Sequence, residues 1–267
     1  MPSQSDKWRI WDRETEYGGI LYQRAVGDLP EMESSKSTAR QIQPLVLPGY
    51  RILDVGCGAG HYLRSLRREI DVPFDYTGVD ATASYVQLAR KAWGEAEGVH
   101  FKTADVFSLP FQDGEFDIVI SCNLLLHLPS VKVPLRELVR VGKRVILVRT
   151  LVGERSFRIQ EVYSPETHPR SFAGPADEEE FGVSGEPRSF HFYNIYSESY
   201  IRKLLSMISD VASFEITADD RYEPNALTQA AEQNRAPDAT YMIGRWQVNG
   251  YILQPWCFVK VVKEADC

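Results

Sequence analysis

The stretch ILDVGCGAG, from Ile52 to Gly60, constrains this chain more than any other. An apolar run ends in Asp54, and glycines then stand at the alternate positions Gly56, Gly58 and Gly60. Glycines allow the tight turning and close backbone approach of a strand-to-helix loop. A helix that opens directly behind such a loop presents unpaired N–H groups to a ligand. The segment is expected to form a buried strand over Arg51–Val55, a cradle, and a helix over His61–Glu69.

The pattern repeats along the next ninety residues. Strands are expected at Tyr76–Val79, Val99–Lys102, Phe116–Ser121 and Arg144–Val148, with helices over Ser84–Trp93 and Val133–Val141. Within Phe116–Ser121 the run Ile118–Ile120 is apolar on both faces, in the manner of a central parallel strand. Alternating strands and helices imply an α/β fold with a doubly wound, mostly parallel sheet. Upstream, residues 1–50 read as a helical lid segment, with a helix over Ser34–Leu45 capped by Ser34 and stopped by Pro48-Gly49. Residues 51–150 are the ligand-binding core. Residues 151–196, with several prolines and many aromatics, read as an insertion of loops and short elements that caps the substrate. Residues 197–267 return to the sheet through a helix opened by Ser197 and strands at Ser213–Thr217 and Cys257–Val262. Between those strands, Tyr241–Pro255 is an extension, read as a lid edge or a dimer contact.

Composition narrows the function classes. The 267 residues are 43% hydrophobic and 25% charged, ordinary for a globular chain. The formal charge of −7 argues against a nucleic-acid partner. None of the four cysteines forms a CxxC pair, so neither a zinc knuckle nor a redox motif is suggested, and no metal is expected. The N-terminus lacks a signal-peptide pattern and no apolar run is long enough to span a bilayer, so a cytoplasmic chain is expected, a monomer or homodimer. One local excess stands out: eight Lys/Arg against two Glu between Val131 and Gln160. It reads as a solvated face, or as a patch for an anionic substrate.

Four features bear on the ligand of the glycine loop. The spacing is GxGxG, not the GxGxxG of dinucleotide enzymes. Asp54 would repel a pyrophosphate but suits a cofactor carrying an ammonium and a sulfonium. Asp80 closes the second strand, twenty positions after Gly60, where an acid can hold ribose hydroxyls or cap the next helix. Asp105 follows the third strand, where it can accept an adenine amino group or cap a turn before Pro110.

With these motifs the sequence resembles the class I S-adenosylmethionine-dependent methyltransferases over about Arg51–Val148, and most the small-molecule branch of quinone-, biotin- and sugar-pathway enzymes. The resemblance implies a Rossmann-like, seven-stranded sheet whose last strand is antiparallel, with Ser213–Thr217 and Cys257–Val262 as its final strands. It implies S-adenosylmethionine as cofactor, held by Asp54, Gly56, Gly58 and Gly60 at the methionine part, by Asp80 and the adjoining Ala81 at the ribose, and by Asp105 and Val106 at the adenine. Cys57 lies within that loop, where its small size accounts for it. SCNLLLHLP resembles the motif after strand four, with Leu126 in place of the first of two histidines and His127 in place of the second. Asn123 leaves that strand near the cofactor's amino-acid end.

The expected activity is methyl transfer to oxygen or nitrogen of a small acceptor, such as a sugar or another ring-containing metabolite. His127 and His191 are the candidate bases. Trp11, Tyr17 and Tyr22 are candidate covers, and Arg149 and Tyr193 candidate substrate contacts. Phe172, Phe181, Phe190, Phe192 and Tyr196 could line an acceptor pocket or form the insertion's own core. The alternatives are a tRNA or protein methyltransferase and a non-catalytic cofactor-binding partner subunit. Against the first stands the missing N/D-P-P-Y/F sequence after strand four. A nicotinamide dehydrogenase is opposed by the loop spacing, and a metal-dependent catechol-type enzyme by the lack of clustered carboxylates.

Overall fold

A computed structural model describes residues 7–13, 15–94, 96–163, 179–220, 240–244, 246–249 and 252–264. Two helices, α1 (Thr15–Val26) and α2 (Glu33–Ile42), precede β1 (Tyr50–Val55). Then come α3 (His61–Glu69), β2 (Phe74–Asp80), α4 (Ala83–Trp93), β3 (Val99–Thr103), β4 (Phe116–Cys122), α5 (Lys132–Val141) and β5 (Gly142–Gly153). A hairpin of β6 (Phe157–Val162) and β7 (Phe190–Ser197) follows, then α6 (Glu198–Leu205) and β8 (Val211–Ala218). The chain ends in β9 (Tyr241–Ile243), β10 (Trp246–Asn249), β11 (Ile252–Gln254) and β12 (Trp256–Lys263).

The main sheet runs in the order β3-β2-β1-β4-β5-β12-β8. Neighbours from β3 to β5 are parallel, and β12 is antiparallel to both β5 and β8. This is the Rossmann-like arrangement with one reversed strand expected from the sequence. Its two faces follow from the strand period of two. Leu53, Val119, Ile146, Val148, Val259 and Val261 pack on one side with α5 and α6. Ile52, Ile118, Ile120, Leu147 and Phe258 alternate to the other side, against α2, α3 and α4. Helix α3 shows the matching stripe: Leu63 and Leu66 are buried, while Arg67 and Arg68 face solvent.

Several expectations need correction. Strand five does not stop at Val148 but continues to Gly153, because the polar pair Arg149 and Thr150 is buried rather than solvated. The short elements expected in the insertion include a hairpin, whose place was not foreseen: β6 and β7 pair along six registers, and the end of β7 joins β5 in parallel. Ser34 does not cap α2. Met32 holds that position, and Ser34 is buried, accepting the Tyr62 hydroxyl at 2.9 Å. Helix α1 lies in the segment expected to be helical, but its bounds were not legible because Gly18-Gly19 interrupts its pattern; a Cβ at Gly18 would meet the Tyr85 ring at 2.6 Å. Ser197 does cap its helix, accepting the Tyr200 N–H. Among the described residues no helix is long and apolar enough to cross a membrane.

Gly60 joins fold to cradle. It holds φ +74° at the start of α3, and an added Cβ would lie 2.9 Å from the Phe101 ring and from Trp93 Nε1. Its carbonyl accepts the Trp93 indole N–H at 3.0 Å. Gly60→Ala should cost roughly 2–4 kcal/mol, from the left-handed backbone and the overpacking together. Urea unfolding measures it, and a midpoint equal to wild type would refute this account of the turn.

Candidate active site

The carboxyl ends of β1, β2, β3 and β4 open into one cavity of about 740 Å³. In open α/β sheets this edge is where ligands bind. Val55, Gly56 and Gly58 form the floor. Both glycines hold positive φ, +82° and +54°. A Cβ would come within 3.1 Å of Leu124 at Gly56 and within 2.7 Å of Leu21 at Gly58, so a side chain at either position would meet both a strained backbone and a crowded neighbour.

Asp80 stands at the end of β2 with both carboxylate oxygens engaged once. Oδ1 accepts the Thr82 N–H and Oδ2 the Gly58 N–H, each at 2.9 Å. The side chain thus ties the glycine loop to the next turn, fulfilling the capping role, and each oxygen keeps a lone pair. Burial pushes its carboxyl up from the ordinary carboxylate range, against the lowering by those two N–H bonds. Ala81 lines the cavity beside it. Asp105 also caps, accepting the Phe107 N–H at 3.0 Å, while Oδ2 lies 3.9 Å from Arg9. Asp105 and the buried Val106 border the same wall.

Not every candidate reaches the cavity. The Asp54 side chain is 2% exposed beneath the loop and accepts the Tyr76 hydroxyl at 2.7 Å. Burial raises its carboxyl to about 7. It therefore does not face the cavity wall, in contrast to the expected ammonium contact. Cys57 turns into the core between the sheet and α3, and Gly60 packs on Phe101. Tyr22 points away from the cavity toward α4, where Lys91 lies over its ring. Its helix neighbours Tyr17, Leu21 and Arg24, at i, i+4 and i+7, line the cavity instead. His191 lies behind the wall, 2% exposed, 3.3 Å from Glu161 and tilted against the rings of Trp11 and Tyr193. Of the insertion's aromatics only Tyr193 lines the cavity; Phe190, Phe192 and Tyr196 are buried in the fold, Phe181 is exposed, and Phe172 lies outside the described residues.

The opposite wall comes from distant segments. Trp11 packs on His127 with ring centroids 5.0 Å apart, and Tyr193 on its other side at 5.4 Å. Arg149, Asn123 and Trp256 stand beyond them. Gln247 and Asn249 from β10 and Gln254 from β11 complete the wall, so the extension between the last strands is a cavity edge. Of these residues Trp256 carried no sign in the sequence, whereas the three amides lie in the Tyr241–Pro255 extension expected as a lid edge or a dimer contact, though none was a candidate site residue. The basic stretch 131–160 does not gather into a patch. Lys132, Arg136 and Lys143 are exposed, Arg144 pairs with Asp117, and only Arg149 of the eight reaches the cavity.

His127 has a defined proton arrangement. Its Nδ1 lies 2.8 Å from the Phe192 carbonyl, so the neutral ring carries its proton there and leaves Nε2 as an acceptor. Burial lowers its pKa from 6.5 to about 4, opposed by that hydrogen bond. The ring is therefore neutral at pH 7. The folded state binds fewer protons than the unfolded chain between those two values, so this group's stability contribution is full above 6.5 and is lost as pH falls toward 4. If Nε2 takes a proton from an acceptor, turnover should stay level from about pH 5.5 to 8 and fall in acid. His127→Gln should then lower kcat by about 10²-fold or more with little change in cofactor affinity. Turnover equal to wild type would end the base role.

Residues 52–144 match the model of a methyltransferase domain. This stretch is a methyltransferase domain. The curated relatives include the 2-methyl-6-phytyl-1,4-hydroquinone methyltransferase of Synechocystis sp., 36% identical over 96 residues, which cover 36% of this chain and 30% of the relative. The demethylmenaquinone methyltransferase of Staphylococcus aureus is 31% identical over 98 residues, 37% of this chain and 41% of the relative. The match thus spans less than half the length of either. Among solved structures, a complex between the Haloferax volcanii Trm112 methyltransferase activator and a methyltransferase aligns over 99% of both chains, with TM-score 0.56 and 18% identity, a likeness of fold. The cofactor implied by the methyltransferase domain is S-adenosylmethionine, and the floor fits it: the glycines Gly56 and Gly58 face a carboxylate whose oxygens are already oriented by two N–H groups.

Proposed function

We propose that this chain transfers a methyl group from S-adenosylmethionine to an oxygen or nitrogen of a small, polar, ring-containing acceptor. The observation that carries this reading is continuity: the glycine floor and Asp80 share one cavity with His127, Arg149 and Trp256. In this reading Asp80 holds the ribose hydroxyls, Asp105 and Val106 border the adenine, and the Gly56–Gly58 backbone meets the methionine part. Bound there, S-adenosylmethionine supplies an electrophilic methyl group on a sulfonium. The chain's own work is placement, since an in-line displacement gains most from holding the reacting atoms aligned. Trp11 covers His127 and keeps water from the reacting end. Tyr193 and Trp256 offer ring faces, and the amides of Gln247, Asn249 and Gln254 can bond acceptor hydroxyls. The relatives' names speak of quinone-type rings, which supports a ring acceptor. The small amide-lined wall favours it over a macromolecule.

Isothermal titration with S-adenosylhomocysteine, with NAD as control, tests the reading. Micromolar binding of the first and none of the second is expected. Binding of neither would overturn it and favour a non-catalytic role.

A further inference from the structure

Arg149 interrupts the apolar run VILVRTLV at a place where a valine would fit the pattern. The residue is almost fully buried, at 1% exposure. Burying an ion pair is commonly no more stabilising than burying apolar residues of similar volume. Yet three elements converge to hold this one. Nε donates to Asp219 Oδ2 at 2.6 Å, and Nη1 donates to Asn123 Oδ1 at 2.6 Å. The guanidinium lies 4.0 Å from the centre of the Trp256 ring. Asp219 is fixed in turn by the Ser37 hydroxyl at 2.7 Å. Asn123 takes the left-handed conformation, φ +59°, the only non-glycine among the described residues to do so. Backbone strain of this kind gathers at functional sites.

Nη2 has no hydrogen-bond partner among the described residues, and Arg149 forms part of the cavity wall. We propose that Arg149 recognises a carboxylate on the methyl acceptor, so that the acceptor is a ring-bearing acid. This rests on the reading of the cavity as a methyl-transfer site and names the substrate class for it. A guanidinium nitrogen is a donor only and asks for an oxygen acceptor. Asp219 already offsets the cation, so a monoanionic carboxylate suits it better than a dianionic phosphoryl group. The cavity's other cations are engaged elsewhere: Arg24 on the Pro30 carbonyl, Lys36 on Glu33, Arg9 on Asp12. Trp256 supplies a surface for the ring, and its indole N–H is held by Gln254 at 3.0 Å.

The test is calorimetry on the full chain saturated with S-adenosylhomocysteine. The probes are two acids with their uncharged counterparts: 4-hydroxybenzoate against 4-hydroxybenzamide, and D-glucuronate against D-glucose. At least one acid should bind about tenfold or more tightly than its counterpart, as a charge-assisted bond requires. That preference should vanish in Arg149→Met and shrink in Arg149→Lys, which keeps the charge but loses the planar fork. The comparison of acid with neutral probe needs no variant, so it stands even where Arg149→Met fails to fold. Equal binding of both pairs by the saturated wild type overturns the carboxylate proposal and leaves the methyl-transfer reading intact. Failure of S-adenosylhomocysteine to bind removes both.

Discussion

Asp80→Ala is expected to weaken S-adenosylhomocysteine binding about a hundredfold. Two losses combine. Charge-assisted hydrogen bonds to the ribose disappear, about 1.5–3 kcal/mol. The Gly58 and Thr82 N–H groups also lose their shared acceptor, so the floor of the site is no longer held in register. A hundredfold corresponds to about 2.8 kcal/mol, within that sum. Asp80→Asn is not a mild control. Both carboxylate oxygens accept a backbone N–H, so the amide nitrogen of an asparagine must oppose one of those donors whichever way it turns. Asparagine should therefore bind nearly as poorly as alanine. Titration calorimetry of the three proteins separates the cases, and an asparagine variant with wild-type affinity would show that the two backbone bonds do not set the carboxylate's orientation.

What the sequence made legible was local. Strand, glycine loop and helix succeed one another between Tyr50 and Glu69, and each is dictated by neighbours: alternation, positive φ, amphipathic spacing. Asp80 and Asp105 could be placed because strand ends in a parallel sheet share an edge. Asp54 misled for the same reason. Strand alternation could have indicated that it points beneath the loop, since Val55 rather than Asp54 joins the floor. Tyr22 misled through its ring, whereas the spacing of Tyr17, Leu21 and Arg24 marks the cavity side of α1. The far wall had no local signal. Trp256 opens β12 and nothing beside it marks a cavity residue; Gln247 and Asn249 lie on β10, inside the extension expected as a lid edge or a dimer contact, but nothing singles out those two amides. Asp219 sits in the polar pair Asp219-Asp220, where either carboxylate could have been solvent-facing. Only the antiparallel return of β12 beside β5 brings Arg149 and Trp256 into contact.

Asp219→Ala should then cost about 3–5 kcal/mol of folding stability, because it leaves a buried guanidinium without its counter-ion. The pair is closed on both sides: each partner's side chain is 2% exposed. Arg149 would keep only Asn123 and the Trp256 ring, which cannot neutralise it. The Ser37 hydroxyl would lose its acceptor as well, loosening α2 against the end of β8. Replacing both charges at once is a different experiment. Arg149→Met with Asp219→Leu removes the ion pair and its desolvation together, so most of the lost stability should return. Urea unfolding of the wild type, the single variant and the pair gives the comparison. A single-variant loss under about 1 kcal/mol would be the value of a solvated surface pair. It would mean that water enters from the cavity and screens Arg149. A large single loss recovered in the double variant would instead mean that the fold does not need this ion pair for stability. Its retention in the cavity wall would then have to be explained by what the guanidinium binds.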